Sequence, residues 1–336
     1  MGLLKKEPHK VLKVLRVLVV LITGTYAFFL KRTSHILAEE IFYARNGLDK
    51  PLNDNRMLHV NATDSLCAEQ TIRSNKLLKS LCNHNLEKHI NDVLHSSHDF
   101  HIFQIGAHTG FERNDPLAKS LSIIIEALPM QLQQRVHWTF VEPSPPNYKR
   151  LQKTVLEHSN LCDMNSINAA VVSDQVSDVK TKDMIFYSLL DTIDPVTGYD
   201  ERSGKTFPAW ITQISSFSKD PILYNGDQFS RRGLNVSEYI VETNVTVRHL
   251  SSLLAEFTAI FGGFKPGHLF FVLIDTEGYD CDIINGLVKD SPFWPFYLVF
   301  EHKQCKDDNK IKTYRHLAEV GYSVNVFDSE NTLAVR

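Results

Sequence analysis

One stretch of the chain limits its fold more than any other: the apolar run LFFVLI at residues 269–274, followed by the polar turn DTEGYD at 275–280. An unbroken apolar run of strand length is typical of a central strand in a parallel sheet, because both faces of such a strand are covered. Ligands bind beyond the carboxyl ends of parallel strands. Asp275 and Glu277 are therefore predicted to border a ligand crevice, with an ordinary solvated turn as the alternative.

Two earlier strand-like runs end in residues that suit a cofactor. The run at 100–105 leads into GAHTG, where Gly106 and Gly110 let the backbone turn sharply and approach a ligand closely. This turn lacks the dinucleotide fingerprint and the P-loop lysine, which argues against nicotinamide chemistry and nucleotide triphosphate hydrolysis. The run at 136–141 ends at Glu142, which is placed either to bind ribose hydroxyls or to serve as a surface or helix N-terminal acid.

From residue 98 onward the sequence alternates between strand-like and helix-like patterns, which predicts a parallel sheet with covering helices. Further strands are expected at 167–172, 184–189, 239–247 and 296–300, and helices at 116–128, 147–158 and 250–260. The polar loop at 191–205 and the aromatic stretch at 210–217 interrupt this alternation. We interpret them as a lid over the acceptor, against the alternative of a surface insertion unrelated to substrate.

The series FQIGAHTG, FVEPSP, INAAVVS, LIDTEGYD and LVFEH, in this order, resembles the FkbM-type methyltransferases, a branch of the class I S-adenosylmethionine-dependent fold. The resemblance runs from about residue 100 to residue 336. It implies an α/β, Rossmann-like fold with a seven-stranded, mostly parallel sheet that has one antiparallel strand near an edge. It also implies S-adenosylmethionine as the cofactor.

By position, the resemblance assigns cofactor-binding residues in three segments. It places Gln104, Gly106, Ala107 and Gly110 in the cofactor loop and Glu142 on the ribose. It places Asn168, or the loop after it, near the adenine. Many class I methyltransferases carry an acid where this chain has Gln104, although glutamine is tolerated among FkbM-like sequences.

Methyl transfer to a hydroxyl requires an aligned donor and acceptor and a group that takes the hydroxyl proton. Asp275 is the preferred candidate and Glu277 the second, while Asp280 is assigned mainly to the charge of a helix N-terminus. Glu301 and His302 close the neighbouring strand and add a candidate general base, with a satisfied surface histidine as the alternative for His302. These residues supply too few ligands to predict a metal site.

The first 97 residues are interpreted as a membrane attachment and a stem. Residues 1–16 form a basic cytosolic tail, 17–32 a short transmembrane signal anchor, and 33–97 a polar stem with an accessory amphipathic helix at 72–93. A cleaved signal peptide and an amphipathic targeting helix are the alternatives. This arrangement predicts a single-pass type II membrane protein with domain 98–336 in the lumen of the Golgi or endoplasmic reticulum.

Glycosylation triplets and cysteines are consistent with that location without establishing it. Acceptor triplets begin at Asn61, Asn235 and Asn244. Cys67 and Cys82 flank a short helical segment and could form a disulfide in an oxidising lumen, which leaves the other three cysteines as core residues or free thiols, although sequence alone does not fix the connectivity.

Three classes of function remain open at the level of sequence. The favoured class is a luminal O-methyltransferase that acts on a hydroxyl of a small molecule or glycan. A type II glycosyltransferase and a non-catalytic binding module are the alternatives. The formal net charge of −3 and the isoelectric point near 6.6 argue against a nucleic-acid partner, because such partners usually require a basic surface.

Overall fold

The computed structural model describes residue 67 and residues 75–94, 99–111, 116–176, 183–260 and 269–336. All of them belong to the compact unit Val60–Arg336. The predicted cytosolic tail, the predicted anchor and most of the predicted stem lie outside these residues. Within the described ranges, no helix combines the length and the apolar character that a membrane span requires.

Seven strands form the main sheet in the described part of the chain. In spatial order they are β11 (Ser323–Val326), β12 (Asn331–Val335), β10 (Tyr297–Glu301), β9 (Leu269–Ile274), β1 (Phe100–Ile105), β2 (Val136–Val141) and β3 (Asp163–Ile167). β12 is antiparallel to both of its neighbours, and the remaining pairs are parallel. The predicted seven-stranded, mostly parallel sheet is confirmed.

Helices flank this sheet, and local sequence explains several of their ends. Proline at the start of α5 has the backbone angle that a first helical turn needs, and Gly321 ends α10 in a left-handed conformation with φ of 99°. The α-helices are α1 (Lys76–Asn83), α2 (Leu86–Leu94), α3 (Pro116–Ala127), α4 (Met130–Gln133), α5 (Pro145–Glu157), α6 (Asp220–Tyr224), α7 (Asp227–Ser230), α8 (Leu250–Ile260), α9 (Asp280–Gly286) and α10 (Asp307–Val320).

The central strands supply two hydrophobic cores, because alternate side chains of a strand point to opposite faces. Phe100 and Ile102 of β1 lie in a buried cluster with α1, α2, α3 and α5. Phe103 and Ile105 lie in a second cluster with α8, α9 and α10. Helices therefore cover both faces of the sheet, which explains why every residue of β1 is buried.

The accessory helix predicted at 72–93 is divided into α1 and α2 in the structure. The division falls at His84 and Asn85, and Asn85 adopts a positive φ of 60°. Leu78, Leu81 and Leu86 are fully buried in the same cluster as Phe100 of β1. These two helices are thus part of the packing on one face of the main sheet.

The strand predicted at 167–172 is wrong in its bounds. The sheet instead contains β3 (Asp163–Ile167), whose residues are half-buried or exposed because this strand lies at an edge. The apolar residues that follow form β4 (Ala170–Val172), which is buried and pairs in parallel with β8 (Ile240–His249). Asn168 and Ala169 lie in the break between β3 and β4.

A second, smaller sheet carries an insertion. β5 (Asp183–Leu189) pairs antiparallel with β8, and residues 190–239 between them, here called the insertion, contain the short hairpin of β6 (Tyr199–Asp200) and β7 (Lys205–Thr206). The insertion has a hydrophobic core of its own. That core includes Ile193, Phe207, Ile211, Ile222, Phe229 and Tyr239.

Two disulfides are present among the described residues. Cys67–Cys82 joins the pair that the sequence analysis connected. Cys281–Cys305 joins two residues that the sequence analysis left as core residues or free thiols, and for them that expectation is wrong. Their proximity depends on the adjacency of β9 and β10 in the sheet, whose following segments carry the two cysteines. Cys162 is a buried thiol, and burial raises its pKa to about 12.

Candidate active site

A cavity of about 1030 Å³ lies beyond the carboxyl ends of β1, β2, β9 and β10. Crevices at this edge of a parallel sheet are where ligands bind in open α/β folds. Binding cavities for single small molecules span roughly 300 to 1,000 Å³, so the volume is at the upper end of that range. Residues of the insertion close part of the wall.

The loop after β1 reaches the cavity through a close backbone approach. Gly106 adopts a φ of 80°, and its N–H donates to Val141 O at 2.9 Å. A Cβ atom at this position would lie 1.7 Å from the backbone oxygen of Asp275. The loop thus fits against the end of β9 because residue 106 has no side chain.

Glu142 connects the loops after β1 and β2. Its side chain is buried, and its two oxygens accept hydrogen bonds from the backbone N–H groups of His108 and Ser144, each at 2.8 Å. Burial raises the pKa of Glu142 to about 7, although these donors and the nearby His108 ring act in the opposite direction. The Asn147 side chain also donates to this carboxylate, which lines the cavity and keeps the remaining lone-pair capacity for a ligand hydroxyl.

Asn168 lies behind Glu142 and does not line the cavity. Its side-chain amide donates to Glu142 O at 2.8 Å and to Pro143 O at 3.1 Å. The residues after it, Ala169 and Ala170, do line the cavity. Asn168 therefore fixes the exit of β2, and the cavity wall itself is formed by the loop that follows it.

Of the four residues predicted in the cofactor loop, Gly106 and Gly110 line the cavity. Gln104 and Ala107 are buried and are not part of its lining. Gln104 lies within β1, where side chains of that parity point toward the face covered by α1 and α3. The predicted loop thus presents its two glycines, and not Gln104, to the cavity.

Asp275 and Glu277 both line the cavity, as expected for the exit of β9. Glu277 has a positive φ of 54°, which is unfavourable for a residue with a side chain. His108 has a φ of 49° and also lines the cavity. Two non-glycine residues in this conformation at one cavity are typical of a functional site.

Glu277 is held by a neighbour and has a perturbed pKa. Gln304, in the loop after β10, donates from Nε2 to Glu277 Oε2. Burial raises the pKa of Glu277 to about 7, and the negative charge of Asp280 adds to this shift. A carboxyl with a pKa near neutrality suits general acid or base chemistry.

Asp280 joins the segments after β9 and β10, which is a wider role than the predicted helix N-terminal charge. It is the first residue of α9, and its Oδ2 accepts from both the N–H and the hydroxyl of Thr276, at 3.2 and 2.8 Å. Its Oδ1 accepts from the backbone N–H of Glu301 at 3.2 Å. Burial raises the pKa of Asp280 to about 6.

Glu301 and His302 point to different environments. Glu301 lines the cavity, and burial together with the charges of Glu277 and Asp280 raises its pKa to about 8. His302 is buried outside the lining, with its Nδ1 2.9 Å from Thr332 Oγ1. The structure brings Glu301 to the other acids and holds His302 against β12.

The sequence did not predict three sets of residues that line the cavity. His108 stands within the GAHTG motif, but nothing in that motif distinguishes it from the residues beside it. Lys303 follows the LVFEH motif, and its Nζ pairs with Glu330. α6 supplies Asp220 and Tyr224, which fall outside the predicted lid.

The aromatic stretch predicted as a lid lines the cavity with Trp210 and Phe217, whereas the polar loop at 191–205 does not. Of the described residues, none form a group of three or more histidine, cysteine, aspartate or glutamate side chains with the geometry to hold a metal ion.

The strand order, the glycine loop and the ring of acids around one cavity fit a Rossmann-like methyltransferase fold. Residues 104–324 match the family model described as the methyltransferase FkbM domain. The chain therefore belongs to the FkbM methyltransferase family. No curated protein matches it in sequence.

Proposed function

We propose that the protein is an S-adenosylmethionine-dependent O-methyltransferase that acts on a hydroxyl, including one on a glycan, in the lumen of the secretory pathway. The observation that carries the proposal is that Gly106 and Glu142 border the same cavity as Asp275, Glu277 and Glu301. One cavity thus has a surface suited to a nucleoside and a surface suited to proton transfer.

The cofactor surface has the features that S-adenosylmethionine requires. The glycine loop lines the cavity with Gly106 and Gly110, so its backbone borders a bound ligand. Glu142 offers carboxylate oxygens to the two hydroxyls of a ribose, and Ala169 and Ala170 give an apolar surface for a base. When bound, S-adenosylmethionine would supply the methyl group of its sulfonium to the acceptor oxygen, with S-adenosylhomocysteine leaving as the neutral thioether.

The acids at the ends of β9 and β10 accept the proton of the acceptor hydroxyl and pass it on. Among the acids of β9 and β10, we assign proton removal to Asp275, whose backbone adjoins the glycine loop: its N–H donates to Ile105 O at 2.9 Å, and its carbonyl oxygen faces Gly106. Glu277 and Glu301, with pKa values raised to about 7 and 8, exchange that proton with solvent. The positive charge of Lys303 opposes the rise in pKa of both glutamates.

The first test is calorimetry with S-adenosylhomocysteine on the full chain. Glu142→Ala is expected to weaken binding at least tenfold, because a buried acceptor of ribose hydroxyls is removed. Asp275→Asn is expected to leave binding unchanged and to lower methyl transfer by roughly 10²- to 10⁴-fold. Thermal unfolding of both variants checks that the loops around Glu142 still fold.

Equal loss of S-adenosylhomocysteine affinity in the two variants would refute this division of roles. Binding of a nucleotide sugar in place of S-adenosylhomocysteine would refute the proposed activity itself and favour a glycosyltransferase.

The luminal location is supported by features of the sequence and of the described residues. Disulfides persist in oxidising compartments, and this chain has two of them. Asn235 and Asn244 are exposed, so both acceptor triplets are open to a glycosyl group. Treatment with an N-glycosidase is expected to lower the mass of the secretory-expressed chain, and an unchanged mass would contradict the proposed topology.

A further inference from the structure

Two aromatic side chains of the insertion lie at the cavity and are not needed for the core of the insertion. The insertion already has a buried core, which includes Phe207, Ile211 and Phe229. Trp210 and Tyr224 lie outside this core, line the cavity, and are 41% and 88% exposed. Large exposed aromatic surface at a cavity points to a ligand that covers it.

Contacts on two sides hold this part of the insertion against the active site. His108 of the glycine loop lies with its Nε2 3.1 Å from Thr212 O. The ring of Phe217 packs edge-on against the ring of Tyr279, with centroids 5.2 Å apart, just after the acids of β9. The aromatic surface therefore has a fixed position beside the residues to which we assign proton transfer.

Polar side chains stand between the aromatic ones. Gln213, Ser215 and Asn225 line the cavity from the insertion, together with Asp220. Amides and hydroxyls both donate and accept hydrogen bonds, which is what a ligand with several hydroxyl groups requires. An aromatic face covers the C–H face of a sugar ring while such side chains pair with the hydroxyls at its edge.

The charges of the cavity are strongly unequal. Its lining includes six carboxyl groups, namely Glu142, Asp220, Asp275, Glu277, Glu301 and Glu330. Among the described lining residues there is no arginine, and Lys303 is already paired with Glu330. A phosphate, sulfate or carboxylate on the acceptor would meet an excess of like charge, because the basic side chains of the lining, His108 and Lys303, are outnumbered by the carboxyl groups.

A cationic acceptor is less favoured than an uncharged one. The carboxyl groups alone would attract a cation, and the preference for an uncharged acceptor comes instead from the insertion, where Trp210 and Tyr224 lie beside side chains that pair with hydroxyl groups. The hydroxyls of a saccharide would use both the donor and the acceptor atoms of Gln213 and Ser215, whereas an ammonium group would use only their acceptor atoms.

We propose that the acceptor is an uncharged saccharide that stacks on Trp210 and Tyr224, and that the acids of the cavity exclude saccharides carrying carboxylate or sulfate groups. This inference rests on the proposed methyl transfer. Trp210 and Tyr224 determine acceptor affinity and specificity, and they take no part in cofactor binding.

The test measures transfer of labelled methyl groups by the full chain to pairs of oligosaccharides that differ only in their terminal sugar. In two pairs the neutral sugar is compared with its uronate, namely glucose with glucuronate and galactose with galacturonate. In the third pair a neutral hexose or deoxyhexose is compared with its sulfated form. The neutral member of a pair is expected to react with a kcat/KM at least tenfold higher. Trp210→Ala and Tyr224→Ala are each expected to raise the acceptor KM about 2- to 10-fold and to leave S-adenosylhomocysteine affinity unchanged. Glu330→Gln removes one carboxylate and frees the Lys303 ammonium from its ion pair, so it is expected to reduce the ratio of kcat/KM between the neutral and acidic members.

Tyr199→Ala is the matched control, because Tyr199 is an exposed aromatic residue of the insertion that does not line the cavity. Its acceptor KM should equal that of the unchanged chain. If calorimetry shows that S-adenosylhomocysteine binds, three results would overturn this inference and leave the cofactor assignment standing. These are a higher kcat/KM for the acidic members, transfer to amines alone, and no transfer to any neutral saccharide. Failure of S-adenosylhomocysteine to bind overturns the proposed function instead.

Discussion

Replacing Gly106 with alanine is expected to abolish S-adenosylhomocysteine binding and to lower the free energy of unfolding by about 3 kcal/mol or more. The added Cβ would lie 1.7 Å from Asp275 O, so the glycine loop and the end of β9 must move apart. Both sides of this contact are backbone, and neither yields by rotating a side chain. Urea unfolding and calorimetry measure the two effects.

Gly233→Ala is the matched control for this substitution. Gly233 has a φ of 71°, close to the 80° of Gly106, but a Cβ there would meet no atom within 4 Å. It should therefore show the effect of backbone conformation alone, about 1 kcal/mol, with unchanged ligand binding. If the two variants lose the same stability, the close approach to β9 is not what requires glycine at position 106.

The centre of the fold was predictable from sequence because it is buried on both faces. β1 and β2 have the bounds that their apolar runs indicate, and β9 follows the run at 269–274. Glycines and acids at the strand ends then identified where a cavity must lie. For these elements, local sequence and global fold impose the same pattern.

The edge of the sheet was not predictable in the same way. β3 has the polar sequence DMNSI, which an edge strand tolerates because much of it faces solvent. The more apolar residues after it looked like the strand, but they belong to β4 in the second sheet. Their burial comes from tertiary packing against β8, which no local pattern records.

The orientation of side chains at the site was likewise beyond the sequence. Glu301 and His302 are adjacent in the chain, yet one lines the cavity and the other hydrogen-bonds to Thr332. Successive residues at a strand end point in opposite directions, so a motif such as LVFEH brings only one of them to the site. Which one it brings depends on the register of β10 with β9 and β12.

The acids of the site have a common physical origin for their raised pKa values. Burial is the largest cause for Glu277, Asp280 and Glu301, and their mutual repulsion adds to it for Glu277 and Glu301. Lys303 and His108 oppose the shift at Glu277, whereas Glu330 adds to it at Glu301. A proton is therefore retained in the fold at pH values where the unfolded chain, with ordinary values of 3.8 to 4.5, has lost it.

This difference fixes the sign of the pH dependence. Between about pH 4.5 and pH 8 the folded state binds more protons at these acids than the unfolded state, so their contribution lowers stability as the pH rises. The disulfide Cys281–Cys305 holds the same acids together, because Cys281 follows Asp280 and Cys305 follows Gln304, the partner of Glu277.

Replacing both Cys281 and Cys305 with alanine is expected to lower the free energy of unfolding by about 3 kcal/mol at pH 6 and by less at pH 8. The value at pH 6 is the loop-closure contribution of a crosslink between residues 24 apart. At pH 8 Glu277 is mostly ionised and Glu301 about half ionised, so they repel one another more than at pH 6, and without the crosslink their loops separate and relieve that repulsion. Urea unfolding at the two pH values measures the difference.

The second disulfide provides the comparison. Cys67–Cys82 spans 15 residues, so its removal should reduce stability by a similar 3 kcal/mol. This disulfide joins Cys82 of α1 to Cys67, which precedes the helix, and it lies apart from the acids of β9 and β10. The loss of stability on its removal should therefore be equal at pH 6 and pH 8. If the Cys281–Cys305 variant also shows equal losses, the crosslink acts on the unfolded chain alone. A smaller loss at pH 8 in that variant only would mean that the disulfide keeps Glu277 and Glu301, which repel one another, at the cavity, where proton transfer requires them.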